Sequence, residues 1–253
     1  KGNVGHEPIK SIPKYKNKLI KKMIIQIVVC LSIYSLFYFL GNTENLFSKD
    51  MINRAREIMS YDINFDEIYK NFIKRQGTEE LLNWLLTTDF FTAPASTKYH
   101  CACEGGLVQH SVSVYKTLRE KYFEEQSDSE ESFAICGLLH DLCKAEFYKV
   151  STRNVKNEVT GAWEKQPFYA IEDSFPYGHG EKSVFLIERF MRLKPAEAMA
   201  IRWHMGGFDS AAKGGDFSIG VAYEKYPLAV KLHIADIESS YLREKHTSAV
   251  SKR

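Results

Sequence analysis

Ser132-Phe133-Ala134-Ile135-Cys136-Gly137-Leu138-Leu139-His140-Asp141-Leu142-Cys143-Lys144 is the stretch that decides the fold. It is apolar almost all round, so residues 132–144 are expected to form a helix without a solvent face, and such a helix lies at the centre of a bundle. The His140-Asp141 pair is then costly. An ionised carboxylate without a partner in these surroundings costs several kcal/mol or neutralises, and a compensating cation is the economical explanation.

On the N-terminal side, residues 107–123 read as an amphipathic helix, with Leu107, Val108, Val114, Tyr115 and Leu118 on or near one side and Lys116, Arg119, Glu120 and Lys121 on the other. His110 stands one turn after Leu107 and one before Val114, hence on the buried face. Residues 92–106, with Pro94, Gly105 and Gly106, read as a loop that carries His100. Further back, Ile52, Ile58 and Met59, then Ile68, Phe72 and Ile73, then Leu81, Leu82, Trp84, Leu85 and Leu86 recur at helical spacing and predict three short helices. Thr78 ahead of Glu79-Glu80 predicts an N-cap with acidic residues at the positive end of the helix dipole. The acidic run 124–131 reads as a solvated loop.

On the C-terminal side the pattern changes over 147–171. Phe147-Tyr148-Lys149-Val150, a polar turn around 154–161, then Trp163 and Pro167-Phe168-Tyr169-Ala170-Ile171 predict a β-hairpin inserted into a helical protein. Helices resume at about 181–193, at 195–205 closed by Gly206-Gly207, and at 227–245, with Pro195 and Pro227 at two of the starts. The expected architecture is an all-α bundle with a small hairpin. Its divisions are a leader at 1–50, N-terminal helices packing on the core at 51–98, the main helical domain at 99–245 and a polar tail at 246–253.

Composition fits one domain of about 200 residues with an appendage, at 44% hydrophobic and 26% charged over 253 residues. The formal net charge of +2 hides an asymmetry: residues 1–50 carry eight Lys/Arg against three Asp/Glu, leaving 26 against 29 for the rest. That balance gives no broad basic surface for long nucleic acid but leaves small phosphorylated ligands open. Cys30, Cys101, Cys103, Cys136 and Cys143 form an odd set without a disulfide framework, which favours a reducing compartment. Cys101-x-Cys103 lacks the second pair of a zinc site and reads as two small residues beside a turn.

Residues 23–40 form an 18-residue run without a charge, behind Lys14, Lys16, Lys18, Lys21 and Lys22. The run is just long enough to span a bilayer, and the lysines would then place the N-terminus inside and the rest of the chain outside. A signal peptide is a second reading, although no small-x-small pattern follows Leu40. A third treats residues 1–50 as a non-native leader, since the chain begins with Lys1 and Met51 opens a helical segment. The expectation is a cytoplasmic main domain, with membrane anchoring through 23–40 as the alternative.

An imidazole offers one nitrogen ligand and a carboxylate can bridge two cations, so His140 and Asp141 side by side can serve two metals. His179 stands in Tyr177-Gly178-His179-Gly180, whose glycines permit a tight turn at a helix start. His204 falls in the last turn before Gly206. Asp236 follows Leu228 and Leu232 at i+8 and i+4, which puts it on the apolar stripe of the last helix. His100 either reaches a bound substrate or caps the following helix. His233 reads as packing or support for Asp236, and Lys144 as either a functional cation or a solvated one at a helix end.

These residues resemble a known family, the HD-domain metal-dependent phosphohydrolases. The matching residues are Gly105-Gly106-Leu107-x-x-His110, Leu138-Leu139-His140-Asp141-Leu142-x-Lys144, His179, His204 and His233-Ile234-Ala235-Asp236, over roughly residues 100–240. The resemblance implies an all-α fold and two divalent metal ions, with Mn, Fe or Mg as candidates. His110, His140, Asp141 and Asp236 would hold one ion, and Asp141, His179 and His204 the other. It implies in-line attack on phosphorus by a hydroxide bridging the metals. Asp141, Lys144, one turn after His140, and His100 are the catalytic residues expected on this reading. The hairpin departs from the family's minimal helical pattern.

The substrate expected on this reading is a nucleotide, cyclic dinucleotide or short oligonucleotide, hydrolysed as a phosphomonoester or phosphodiester. Trp163, Tyr169 and Tyr177 offer either a stacking surface for a base or the packing face of the hairpin. Glu181 and Lys182 either orient ligands or satisfy a helix start, and Arg202 contacts either phosphate or water. An HD-type mixed-valent di-iron oxygenase shares the same ligand order and is the alternative; a non-catalytic nucleotide-binding module that keeps the fold is a third reading, although such a module would be expected to lose ligands.

Overall fold

The computed structural model describes residues 64–244, which belong to the compact unit Glu57–Arg253. The expected leader 1–50 with its apolar run 23–40, the helix around Ile52, Ile58 and Met59, and the tail 246–253 lie outside the described residues. Within them the protein is mostly helical, with one two-stranded antiparallel sheet. Among the described residues, no helix is long and apolar enough to cross a membrane.

The first described helix, α1, covers 64–72, and α2 covers Thr78–Leu85. Phe65, Tyr69 and Ile73 of the first segment and Leu81 and Leu85 of the second are buried, as their spacing requires. The cap of α2 is Gly77, at φ 89°, rather than Thr78, whose hydroxyl donates back to the carbonyl of Arg75. A Cβ at residue 77 would also strike the carbonyl of Phe190, so glycine is needed there twice over.

The central layer is α3 (Gly106–Tyr122) against α4 (Glu130–Leu139). Ser129 caps α4, accepting from the backbone N–H of Ser132, and every residue from 132 to 139 is buried. Gly137 lets the two helices meet backbone to backbone, because a Cβ there would lie 2.5 Å from Cα of Tyr115. The expected helix to Lys144 is corrected: α4 ends at Leu139, and a 3-10 turn occupies Leu142–Lys144. The acidic run is corrected too, since Glu130 and Glu131 open α4 and pair with Arg119 and Arg75.

The hairpin follows as β1 (Tyr148–Lys156) and β2 (Trp163–Ile171), in register from Tyr148↔Ile171 to Lys156↔Trp163. Its first strand runs further than the expected turn allowed. The reversal occupies 157–162, where Asn157 Oδ1 accepts from the N–H groups of Val159 and Thr160 and Gly161 takes φ 71°. Helices α5 (His179–Glu188) and α6 (Pro195–Trp203) pack on each other, and α9 (Pro227–Glu238) packs on α3 and α6. Between them, residues 208–226 hold two short helices the spacing did not show, α7 (Ser210–Lys213) and α8 (Ser218–Lys225). A π-helical turn at Ser239–Arg243 ends the described chain and brings Glu244 back into the core.

Candidate metal centre

Five helices direct a terminus or a buried face at one point. Helix α3 brings His110, the break after α4 brings His140 and Asp141, the start of α5 brings His179, the end of α6 brings His204 and the last turn of α9 brings Asp236. His110, His140, Asp141 and His204 are buried; the side chains of Asp236 and His179 keep 13% and 27% of their exposure, which places an opening on that side.

Asp141 is the hub. Its Oδ1 lies 2.8 Å from Nε2 of His179 and 3.4 Å from Nε2 of His204, while Oδ2 lies 3.4 Å from Nε2 of His110 and 3.6 Å from Nε2 of His140. Each carboxylate oxygen therefore serves a different pair of imidazoles. Asp236 closes the second side, with Oδ1 3.2 Å from Nε2 of His110. Ligand atoms within 4.8 Å of one another recur in four overlapping triads: His100, His110 and Glu244; His110, His140 and Asp141; His140, His204 and Asp236; Asp141, His179 and His204.

The outward nitrogen of each imidazole has a partner. Nδ1 of His140 donates to the carbonyl of Gly137 at 2.9 Å and Nδ1 of His204 to that of Ile201 at 2.6 Å. Carbonyls only accept, so the neutral rings present a lone pair on Nε2 to the centre. Nε2 of His204 is buried and has no hydrogen-bond partner. Nδ1 of His110 lies 2.9 Å from Oε1 of Glu244, and Nδ1 of His179 lies 3.4 Å from Sγ of Cys143. A buried orphan nitrogen beside two carboxylates is a donor set that fits a divalent cation.

The electrostatics agree. Burial lowers His140 to about 3, so it stays neutral. Burial also works against charge on His110 and His179, yet the carboxylates of Glu244 and Asp236 raise the first to about 10, and Cys143 and Asp141 raise the second to about 10. Asp141 is held well below the carboxylate range despite its burial, chiefly by Lys144 and His140. The pocket thus concentrates negative charge that attracts positive charge onto its rings, and cation binding would release those protons.

Lys144 is not solvated. Its Nζ lies 2.6 Å from Oδ2 of Asp141, and that carboxylate raises it above an ordinary lysine although burial opposes the charge. The His100 ring lies tilted against that of His110 at 4.8 Å between centroids, and its Nε2 is buried without a partner; burial lowers it to about 4. His233 contacts the carbonyl of His204 at 2.5 Å through Nδ1 and fills the space above Gly206, where a Cβ would lie 2.2 Å from the ring.

Other expected contacts resolve differently. Arg202 pairs with Glu181 at 2.5 Å and Asp209 at 3.1 Å and lies over the Trp203 ring, so all three charges are spent on joining α5 to the segment after α6. Lys182 pairs with Asp173 at 2.7 Å. Tyr177 stacks on Phe175 and meets Phe185 at a tilt, Tyr169 is half-buried in the hairpin and Trp163 is 70% exposed. Glu244 and Cys143 were missed as partners of the histidines. The π turn removes Glu244 from the helical phase of Asp236, and nothing in the spacing of Cys143 points at a residue 36 positions away.

Comparison with protein-family models, curated proteins and solved structures finds no match to this chain. Buried His/Asp clusters able to bind metal therefore rest on this geometry alone.

Proposed function

We propose that the chain is a metal-dependent phosphohydrolase of the HD-domain type, acting on a small nucleotide-like phosphate ester. The observation that carries the reading is the placement of Asp141, one buried carboxylate whose two oxygens face two different histidine pairs. With Asp141, the side chains of His110, His140 and Asp236 would hold one divalent ion, and those of His179 and His204 a second.

Divalent ions bound there would polarise a phosphoryl oxygen and make a hydroxide nucleophile available near neutral pH. The chain's own residues account for the rest. Asp141, held by Nε2 of His179 at 2.8 Å and Nζ of Lys144 at 2.6 Å, keeps its orientation without reorganisation. Lys144 sits at the same oxygen and supplies a fixed positive charge where negative charge builds on a substrate oxygen. His100, neutral at physiological pH, has a free ring nitrogen to share with a substrate oxygen. The mild acidity of residues 51–253 argues for a small anion drawn by the site itself rather than a long nucleic acid drawn by the surface.

The test is anaerobic purification of the full chain with metal quantitation, then phosphate release over mononucleotides, cyclic dinucleotides and short RNA with Mn, Mg or Fe. Metal-dependent release without oxygen consumption is expected. Oxygen uptake by an iron form without phosphate release would assign the cluster to oxygenase chemistry, and tight nucleotide binding without turnover would make it a sensor.

A further inference from the structure

The supports behind the four imidazoles are unequal. His140 and His204 lean on carbonyls of their own helices, at Gly137 and Ile201. His179 has only a thiol beside Nδ1, at 3.4 Å, and its side chain is 27% exposed. His110 is different: Glu244 arrives from 134 residues along the chain and sets both carboxylate oxygens against Nδ1, at 2.9 and 3.2 Å. Glu244 is itself buried, and Sγ of Cys101 donates to its Oε2 at 3.3 Å. The placement depends on the π turn, whose wide loop closes with the N–H of Glu244 on the carbonyl of Ser239 at 3.0 Å and is anchored by Thr117 Oγ1 on Ser239 Oγ.

We infer that Glu244 is a positioning residue that makes the His110 end of the cluster the tighter of two cation positions and leaves the His179 end the exchangeable one. A carboxylate on the far nitrogen of a ligating imidazole fixes its tautomer and ring orientation and strengthens it as a donor. A weak thiol partner and an open side give His179 neither advantage. The inference rests on the two-cation reading and adds an order of loading to it: the His110 position fills first, and the second ion comes and goes with substrate.

The test is calorimetric titration of the chelator-stripped full chain with Mn(II), wild type beside Glu244→Gln, Glu244→Ala and Cys143→Ala. Two resolved steps are expected in the wild type. Glu244→Gln, nearly isosteric, should weaken the tighter step by about 10–100-fold and leave the weaker one unchanged. Cys143→Ala should leave the tighter step unchanged. A downfield Nδ1 proton resonance from His110 should be present in the wild type loaded with diamagnetic Zn(II) and absent in Glu244→Ala, which a merely structural role would not produce. Equal weakening of both steps, no weakening in Glu244→Gln, or a single step in the wild type overturns the inference alone. A wild-type chain that binds no Mn(II) overturns the two-cation reading with it.

Discussion

Two clusters of charge among the described residues, one around Arg75 and one around Asp141, are built on opposite principles. In the first, Arg75 bridges Glu131 and Glu197 at 2.8–2.9 Å; its guanidinium also donates to the carbonyl of Arg192. Glu131 takes the N–H groups of Lys74 and Arg75, and Glu197 takes the Ser132 hydroxyl at 2.6 Å and the N–H of Lys194 at 2.7 Å. Its charges and hydrogen bonds are answered from within the chain, and it ties the turn after α1 to the starts of α4 and α6. The second cluster, around Asp141, ends on imidazole nitrogens that face inward, one of them buried without a partner. A saturated cluster fastens the fold; an unsaturated one awaits a ligand.

The comparison can be broken most sharply at Asp141. Asp141→Ala removes the bridge, and turnover should fall to background while far-ultraviolet circular dichroism keeps the helical signature. Hydrolysis retained in that variant would refute the assignment. Glu197→Ala is the converse case: it leaves Arg75, half-buried, beside a single carboxylate and should cost about 1–3 kcal/mol in denaturant unfolding, with metal stoichiometry unchanged. Loss of metal in Glu197→Ala would show that the two clusters are not separate.

Lys144→Ala sits between the extremes. It should keep bound metal and lower kcat by roughly 10²–10³, the range for removing one preorganised charge from a transition state. A change in KM alone would make Lys144 a binding residue instead. The smallest expected effect is in the pH dependence of stability. Burial raises the Glu197 carboxyl, but hydrogen bonds from Arg75, Ser132 and the Lys194 backbone lower it further, and Glu131 is lowered in the same way by Arg75 and the Lys74 backbone. Depressed carboxyls stabilise above their unfolded value of about 4.3 and lose that contribution as pH falls through the folded value. Unfolding midpoints of wild type should therefore drop below about pH 4, and Glu197→Ala should flatten that drop.

The Asp141 cluster was legible in the sequence and the Arg75 cluster was not, for a physical reason. His140, Asp141 and Asp236 are polar groups on stripes that periodicity marks as buried, so each is conspicuous by itself. Arg75, Glu131 and Glu197 stand at helix starts and turns, where charge is ordinary, and only the fold brings them together across 56 and 122 residues. The same distinction separates the elements. The buried run at 132–139, the proline starts of α6 and α9 and the hairpin were readable from local pattern. The break after Leu139, the cap at Gly77, helices α7 and α8 and the inward return of Glu244 were not, because each is set by contacts with distant chain rather than by its own spacing.

The most direct measurement is the divalent-metal content of the full chain after anaerobic purification, taken on wild type, Asp141→Ala and Glu197→Ala together. Two ions per chain are expected in the wild type and in Glu197→Ala, and none held stoichiometrically in Asp141→Ala. A metal-free wild type under loading conditions, or an Asp141→Ala variant that retains both ions, would contradict the two-cation reading.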